Sequence, residues 1–205
     1  MKTINIDAIN SVLKDHSPSE IITWALEVAE RPVITTNFRP YESAILFAVS
    51  RLAPNIKVKW CDTGSNTPNT YNHDNERNER LRLTVQFYDP KQAVAFRDTV
   101  MGIPDVNDPM HSLFTEQVKL EPFRRAMNEH KPDVWFTNLR QGQTEFRNSI
   151  DVVSESKSGI LKVSPFYSYA DARLDSYLER HKLPNEFNYF DPTKVLENRE
   201  CGLHS

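Results

Sequence analysis

The residues best suited to chemistry are one cysteine late in the sequence and a few basic positions upstream of it. The stretch ENRECGLHS, residues 197–205, sets Cys201 beside Gly202, with Arg199, Glu200 and His204 within three positions. Terminal segments are commonly mobile. A cysteine there is badly placed for packing and well placed for a thiol that must travel between two partners. A free thiol of pKa ~8.5 is mostly protonated at neutral pH, and neighbouring cations such as Arg199 and His204 lower that value. Upstream, NLRQGQTEFRNS places Arg140 and Arg147 seven residues apart, so a helix there would set both on one face. Paired guanidiniums suit phosphate or sulfate through bidentate contacts, although a bare arginine pair is as readily a solvated basic edge. Lys119 in VKLEPFRR and Lys162 in LKVSPF each precede a proline by a few residues, and either could be an ordinary surface charge. In WCDTGSNTPNTY, Asp62 could accept from a ribose hydroxyl or an adenine amine, or simply cap the Thr63–Gly64 turn.

These residues need elements to hold them, and a repeating unit of apolar strand followed by capped helix supplies candidates. SPSEIITWALEVAE has Ser17 as cap, Pro18 at the first helical position and Glu20 to complete a capping box. PVITTN predicts a strand, and RPYESAILFAVSRL a helix with Pro40 near its start. IKVKWCDTG reads as strand and loop, followed by a helix capped by Thr67 with Pro68 next. LTVQFYD predicts a third strand, followed by a helix in which Asp89 and Pro90 play the same parts. DVWFTN, residues 133–138, predicts a fourth strand after a helix around 116–130. ILKVSPF reads as a strand and ADARLDSYLERHKL as an amphipathic helix. The alternation predicts an α/β fold: a mostly parallel central sheet with helices on both faces and a mobile C-terminal tail. In such sheets ligands bind at the carboxyl ends of the strands, which directs attention to 35–43, 62–67 and 138–147. We divide the chain into an N-terminal helical segment (1–30), a nucleotide-binding α/β unit (31–183) and a catalytic tail (184–205), one domain overall.

Composition narrows the classes. With 205 residues, 39% hydrophobic and 26% charged, the chain can bury a core without staples. A formal net charge of −3 gives no general attraction to nucleic acid or to an anionic membrane, although Arg124–Arg125 could serve a small anion. No apolar run reaches the length of a membrane span, and MKTINIDAIN lacks a signal peptide's apolar core. Two cysteines suggest neither a disulfide framework nor a four-cysteine metal site. The expectation is a cytoplasmic protein whose thiols are free, with Cys61 a buried core thiol.

In order, TTNF, CDTG, VKLEPFRRA, WFTNLRQGQTEFR, KVSPF and RECGLH resemble the phosphoadenosine phosphosulfate (PAPS) reductases of the adenine-nucleotide α-hydrolase, or PP-loop, superfamily. The resemblance covers residues 30–205. It implies that Cys201 attacks the sulfur of PAPS, expels adenosine 3′,5′-bisphosphate and becomes an S-sulfonate, with Glu200 and His204 flanking it. Thioredoxin or glutaredoxin would then release sulfite. The resemblance places Thr36, Asn37 and Phe38 in a phosphate loop, and Asp62, Thr63 and Gly64 in a nucleotide-binding loop. It puts Arg140, Gln143 and Arg147 on phosphate or sulfate oxygens, with Lys119 and Lys162 as further basic positions. Members commonly form homodimers. Where the family's loop has glycine, this chain has Arg39, which could contact a phosphate or close the loop to one. Relatives that reduce adenosine 5′-phosphosulfate (APS) with a 4Fe–4S cluster carry a cysteine pair where Phe114 and Thr115 stand here. With two cysteines, a four-thiolate cluster within one chain is impossible, so no bound cofactor and no metal are expected. A cluster-free APS reductase, or a nucleotide-binding relative without turnover, remain the alternatives.

Overall fold

The computed structural model describes residues 4–185, 187 and 189–193, with the backbone alone for 73–77. The β-branched runs form strands where expected: β1 (Pro32–Thr36), β2 (Lys57–Trp60), β3 (Thr84–Phe87) and β4 (Val134–Phe136). β5 (Val153–Glu155), which the sequence reading missed, and β6 (Leu161–Val163) complete a six-stranded sheet of order β3-β2-β1-β4-β6-β5. Every neighbouring pair is parallel except β5 with β6. From β1 the chain builds outward through β2 and β3, then returns to lay β4 along the other edge of β1. Right-handed crossovers in opposite directions put their helices on opposite faces, and the core records this. Ile34, Val58 and Trp60 pack with Ile45 and Val49 of α3 (Glu42–Leu52), Ile22 of α2 (Pro18–Val28) and Leu174 of α9 (Asp171–His181). Val33 and Trp135 point the other way, onto Met127 of α7 (Glu121–His130). Ile22 is fully buried, a burial that stabilises by about 1.5–3 kcal/mol. The order reverses between β1 and β4, where ligands of such sheets bind.

Local chemistry explains most helix starts. Ser17 and Glu20 form the capping box of α2, with Glu20 Oε2 accepting from the Ser17 N–H at 2.7 Å. Thr67 caps α4 (Pro68–Leu81) as expected. α1 (Ile6–Leu13) covers the edge strand β5, where Asn10 trades hydrogen bonds of 2.8 and 2.9 Å with the Val153 backbone.

Two expectations fail. The helix after β3, α5, runs Val94–Val100 and is not capped by Asp89. The Asp89 carbonyl instead accepts from Arg125 Nη2 at 2.6 Å, and the chain turns for four more residues before coiling. Arg140 and Arg147 also do not share a helix. Gly142 takes φ +82° between them, and only α8 (Glu145–Asn148), capped by Thr144, is helical. The expected helix near 116–130 is present but not uniform: α6 (His111–Thr115) passes through a π-helical turn, Glu116–Leu120, into α7. Pro122 lacks an N–H and cannot extend an ordinary ladder backwards. The wider turn carries Lys119 inward, where it is buried.

Candidate functional site

Three loops and one crossing segment gather at the carboxyl ends of β1, β2 and β4. In the first, after β1, Phe38 and Tyr41 take left-handed φ of 55° and 69°, which costs roughly 1–2 kcal/mol for each L-residue. What holds them is Glu42, at the start of α3. Its Oε2 accepts from Thr36 Oγ1 (2.5 Å) and from the N–H groups of Asn37 and Phe38 (3.0 Å each), and its Oε1 accepts from Arg39 Nε (3.0 Å). The Phe38 ring leaves the loop for the core, edge-on to Trp60 with centroids 4.7 Å apart. Only its backbone serves the loop.

After β2, Asp62 accepts from Gly64 N at 2.9 Å, Asn66 Nδ2 at 2.8 Å and Tyr71 Oη at 2.8 Å. Its carboxylate caps the turn in this structure. Gly64 has φ +73°, and a Cβ there would lie 2.3 Å from Val94 Cγ2. Beneath the turn, Arg97 of α5 is 1% exposed and donates from Nη1 to the Thr63 carbonyl at 3.0 Å. Just before this turn stands Cys61, whose thiol is pushed by burial up to about 12 against the pull of Arg125, Lys119 and Lys59. By accessible surface the residue is only partly buried.

After β4, Gln143 unites the two arginines that a helix does not. Its Oε1 accepts from the Arg140 backbone N–H at 3.1 Å and from Arg147 Nη1. Both guanidiniums are buried. Arg140 donates to Asp171 Oδ1 at 2.5 Å and lies 4.9 Å over the Tyr41 ring, while Arg39 Nη2 reaches the Asn138 carbonyl at 3.1 Å. Those two contacts tie the β4 loop to the β1 loop.

Residues 184, 185, 187 and 189–193 cross over these ends. Ser43 Oγ donates to the Pro184 carbonyl (2.6 Å), Tyr41 N to Asn185 Oδ1 (2.8 Å) and Asn37 Nδ2 to Tyr189 Oη (2.6 Å). Lys119 Nζ donates to Asp191 Oδ2 at 2.5 Å and to Thr193 Oγ1 at 2.9 Å. Burial pushes Asp191 up, but the Lys119 charge and the hydrogen bonds from Lys119 and Thr193 outweigh it and hold the carboxyl below its ordinary value.

The structure therefore brings Thr36, Asn37, Phe38, Lys119, Arg140, Gln143 and Arg147 to one end of the sheet. Asp62, Thr63 and Gly64 line the neighbouring strand's end. Lys162 sits one layer deeper, in register with Trp135 inside the sheet, and burial depresses its ammonium. Cys201 and His204 lie outside the described residues. The surface pair Arg124 and Arg125 is already neutralised by Glu116 and Glu121, so it offers no anion site. The sequence reading missed Glu42, Arg97, Asn185, Tyr189 and Asp191. Arg97 in VAFRDTV carries no local sign distinguishing it from a solvated charge. Among the described residues no cluster of histidine, cysteine, aspartate or glutamate could hold a metal ion.

A mostly parallel sheet that reverses at β1, with loops converging beyond the strand ends, defines the class of open, doubly wound α/β proteins. Solved structures of that shape agree. A PAPS reductase from Candida auris, solved as a phosphate complex, superposes with a TM-score of 0.79 over 90% of each chain at 24% identity. A U34-tRNA thiolase from Methanococcus maripaludis superposes at 0.60 over 87% of this chain and 66% of its own, at 10% identity. Within the class, the family model for the phosphoadenosine phosphosulfate reductase domain matches residues 31–189, and the chain belongs to that family. It is 29% identical to a phosphoadenosine 5′-phosphosulfate reductase of Xylella fastidiosa strain 9a5c, over 98% of this chain and 94% of that one. The corresponding protein of Xanthomonas oryzae pv. oryzae strain PXO99A is 28% identical over 98% and 92%.

Proposed function

We propose that the chain reduces 3′-phosphoadenylyl sulfate to sulfite and adenosine 3′,5′-bisphosphate, in the cytoplasm and in the service of sulfate assimilation. The Cys201 thiolate attacks the sulfo sulfur, and the bond from that sulfur to the bridging oxygen breaks. The bisphosphate leaves and Cys201 holds an S-sulfonate. A dithiol of thioredoxin or glutaredoxin then attacks the Cys201 sulfur and sulfite departs. The second thiol closes the reductant's disulfide and returns Cys201 as a thiol. His204 assists by lowering the thiol's pKa. Lys119, Arg140, Arg147 and Lys162 offset substrate charge and that of the leaving phosphate, with Gln143 a neutral hydrogen-bonding partner beside them. The Thr36–Phe38 loop takes a phosphate group, and the Asp62–Gly64 turn walls the nucleoside. The 184–205 segment acts as the catalytic tail of the 31–183 unit, behind the helical 1–30 segment, and the enzyme works as a homodimer without a bound cluster.

The observation that most supports this reading is the meeting of buried Arg140 and Arg147 on Gln143, at the sheet's reversal point, in a chain of this family. A second reading, a nucleotide binder without turnover, is favoured by the Arg39–Glu42 pair that fills the β1 loop. Intact mass of the reduced protein, mixed separately with PAPS and with APS and no reductant, separates them. One SO₃ group gained on the Cys201 peptide is expected with PAPS. Gain with APS alone would change the substrate, and nucleotide binding without any adduct would establish the second reading.

A further inference from the structure

The turn after β1 has the shape of an anion cradle. Successive N–H groups at Asn37 and Phe38, the Thr36 hydroxyl and the left-handed Phe38 converge on one point, an arrangement that binds phosphates and other anions. Here the point is already taken. Glu42 Oε2 occupies it, with the carboxylate 5% exposed and its other oxygen on Arg39. The first turn of a helix favours an anion, so Glu42 is electrostatically at home there. A phosphate group would want the same donors, and two anions cannot share them at hydrogen-bond distance.

We propose that Glu42 is a resident competitor that sets the affinity of this loop: the substrate's phosphate gains the Asn37 and Phe38 amides only as the Glu42 carboxylate leaves them. The proposal rests on the reading above that the loop takes a phosphate group. Arg39 then changes partner. Its Nε is bound to Glu42, and its Nη2 to the Asn138 carbonyl keeps the guanidinium beside the cradle, so it becomes the incoming phosphate's counterion once Glu42 withdraws. This gives a physical role to an arginine standing where the resembling loop carries glycine.

The test is calorimetry on the full chain with adenosine 3′,5′-bisphosphate and, separately, inorganic phosphate, for wild type and Glu42→Gln. Glutamine keeps the shape and an acceptor oxygen but not the charge. Charge-assisted hydrogen bonds are about twice as strong as neutral ones, so the variant should bind the bisphosphate about tenfold more tightly. Backbone amide resonances of Asn37 and Phe38 in the wild-type protein give a second readout that needs no variant. They should move on saturation with the bisphosphate, because their acceptor changes. Equal or weaker binding by a folded Glu42→Gln protein overturns the proposal. So do amide resonances that stay still while the nucleotide binds, or an absence of binding by either protein. These results stand apart from catalysis. Sulfite release with unmoved amides would keep the reductase reading and remove the competitor, and moved amides without sulfite would do the reverse.

Discussion

Removing the Asp191 carboxylate should cost more stability than any other single change in the crossing segment. Lys119 and Asp191 expose 5% and 6% of their side chains, so Asp191→Ala leaves an ammonium in the interior with the Thr193 hydroxyl as its remaining partner. Stranding one member of a buried pair costs about 3–5 kcal/mol. In a domain of this size each kcal/mol lowers the melting temperature by about 2–4 °C. The expected loss is therefore about 6–20 °C, and local lifting of residues 184–193 to let water reach Lys119 sets the lower end. Adding Lys119→Met removes the stranded charge and should recover most of the loss, a coupling that independent sites would not show. The pH dependence follows from the carboxyl being held below its ordinary value. Stability from a depressed acid is complete above the unfolded value, near about 3.9, and disappears as pH falls through the folded value. Calorimetric melts should thus show a constant gap between wild type and Asp191→Ala from pH 5 to 8, closing below about pH 4. Burial makes the gap insensitive to half-molar salt. A gap under 2 °C at neutral pH, or one that collapses in salt, would refute the buried pair.

Other outcomes follow from the same geometry. Gly64→Ala combines a left-handed φ with a Cβ 2.3 Å from Val94 Cγ2. It should cost on the order of 2–5 kcal/mol in urea unfolding, with Val94→Ala in the same chain recovering the steric share and not the backbone share. Cys61, pushed to about 12, should be ionised to about one part in ten thousand at pH 8. It should therefore react slowly with iodoacetamide in the native protein and faster in urea, and rapid native labelling of its peptide would contradict the raised pKa. Arg97→Ala, which strips the Thr63 carbonyl of its buried partner, should cost at least about 3 kcal/mol. Arg124→Ala breaks an ion pair more than a third exposed on both sides and should cost under about 1 kcal/mol; equal losses would refute the distinction.

Five of the six strands and most helix starts were legible because their causes are local. Val33 to Thr36 is β-branched, and Ser17 with Glu20 and Thr67 with Pro68 carry their caps within a turn. Asp89 and Pro90 have the same local chemistry as Thr67 and Pro68, yet no helix starts there, because Arg125, 36 residues away, holds the Asp89 carbonyl. The arginine pair shows a different limit. Spacing suggested one helix face for Arg140 and Arg147, whereas Gly142 breaks the helix and Gln143 brings the two together through its own oxygen. Residue type picked out two arginines that do meet, and their spacing suggested the wrong geometry.

The internal anions were the least legible part of the site, and physical chemistry says why some had to exist. Lys119 and Arg140 are buried cations, and an unpaired buried charge costs several kcal/mol, so each needs partners from the chain itself. Asp191 stands 72 residues from Lys119, Asp171 stands 31 from Arg140, and Glu42 lies three from Arg39 in a helix's first turn, where any acidic residue is unremarkable. The demand for counterions can be read from the cations alone. Which carboxylates meet it is decided by topology, because only the folded sheet carries residues 171 and 191 back over the strand ends. The carboxylates that pair these cations are thus the positions a linear motif is least able to mark.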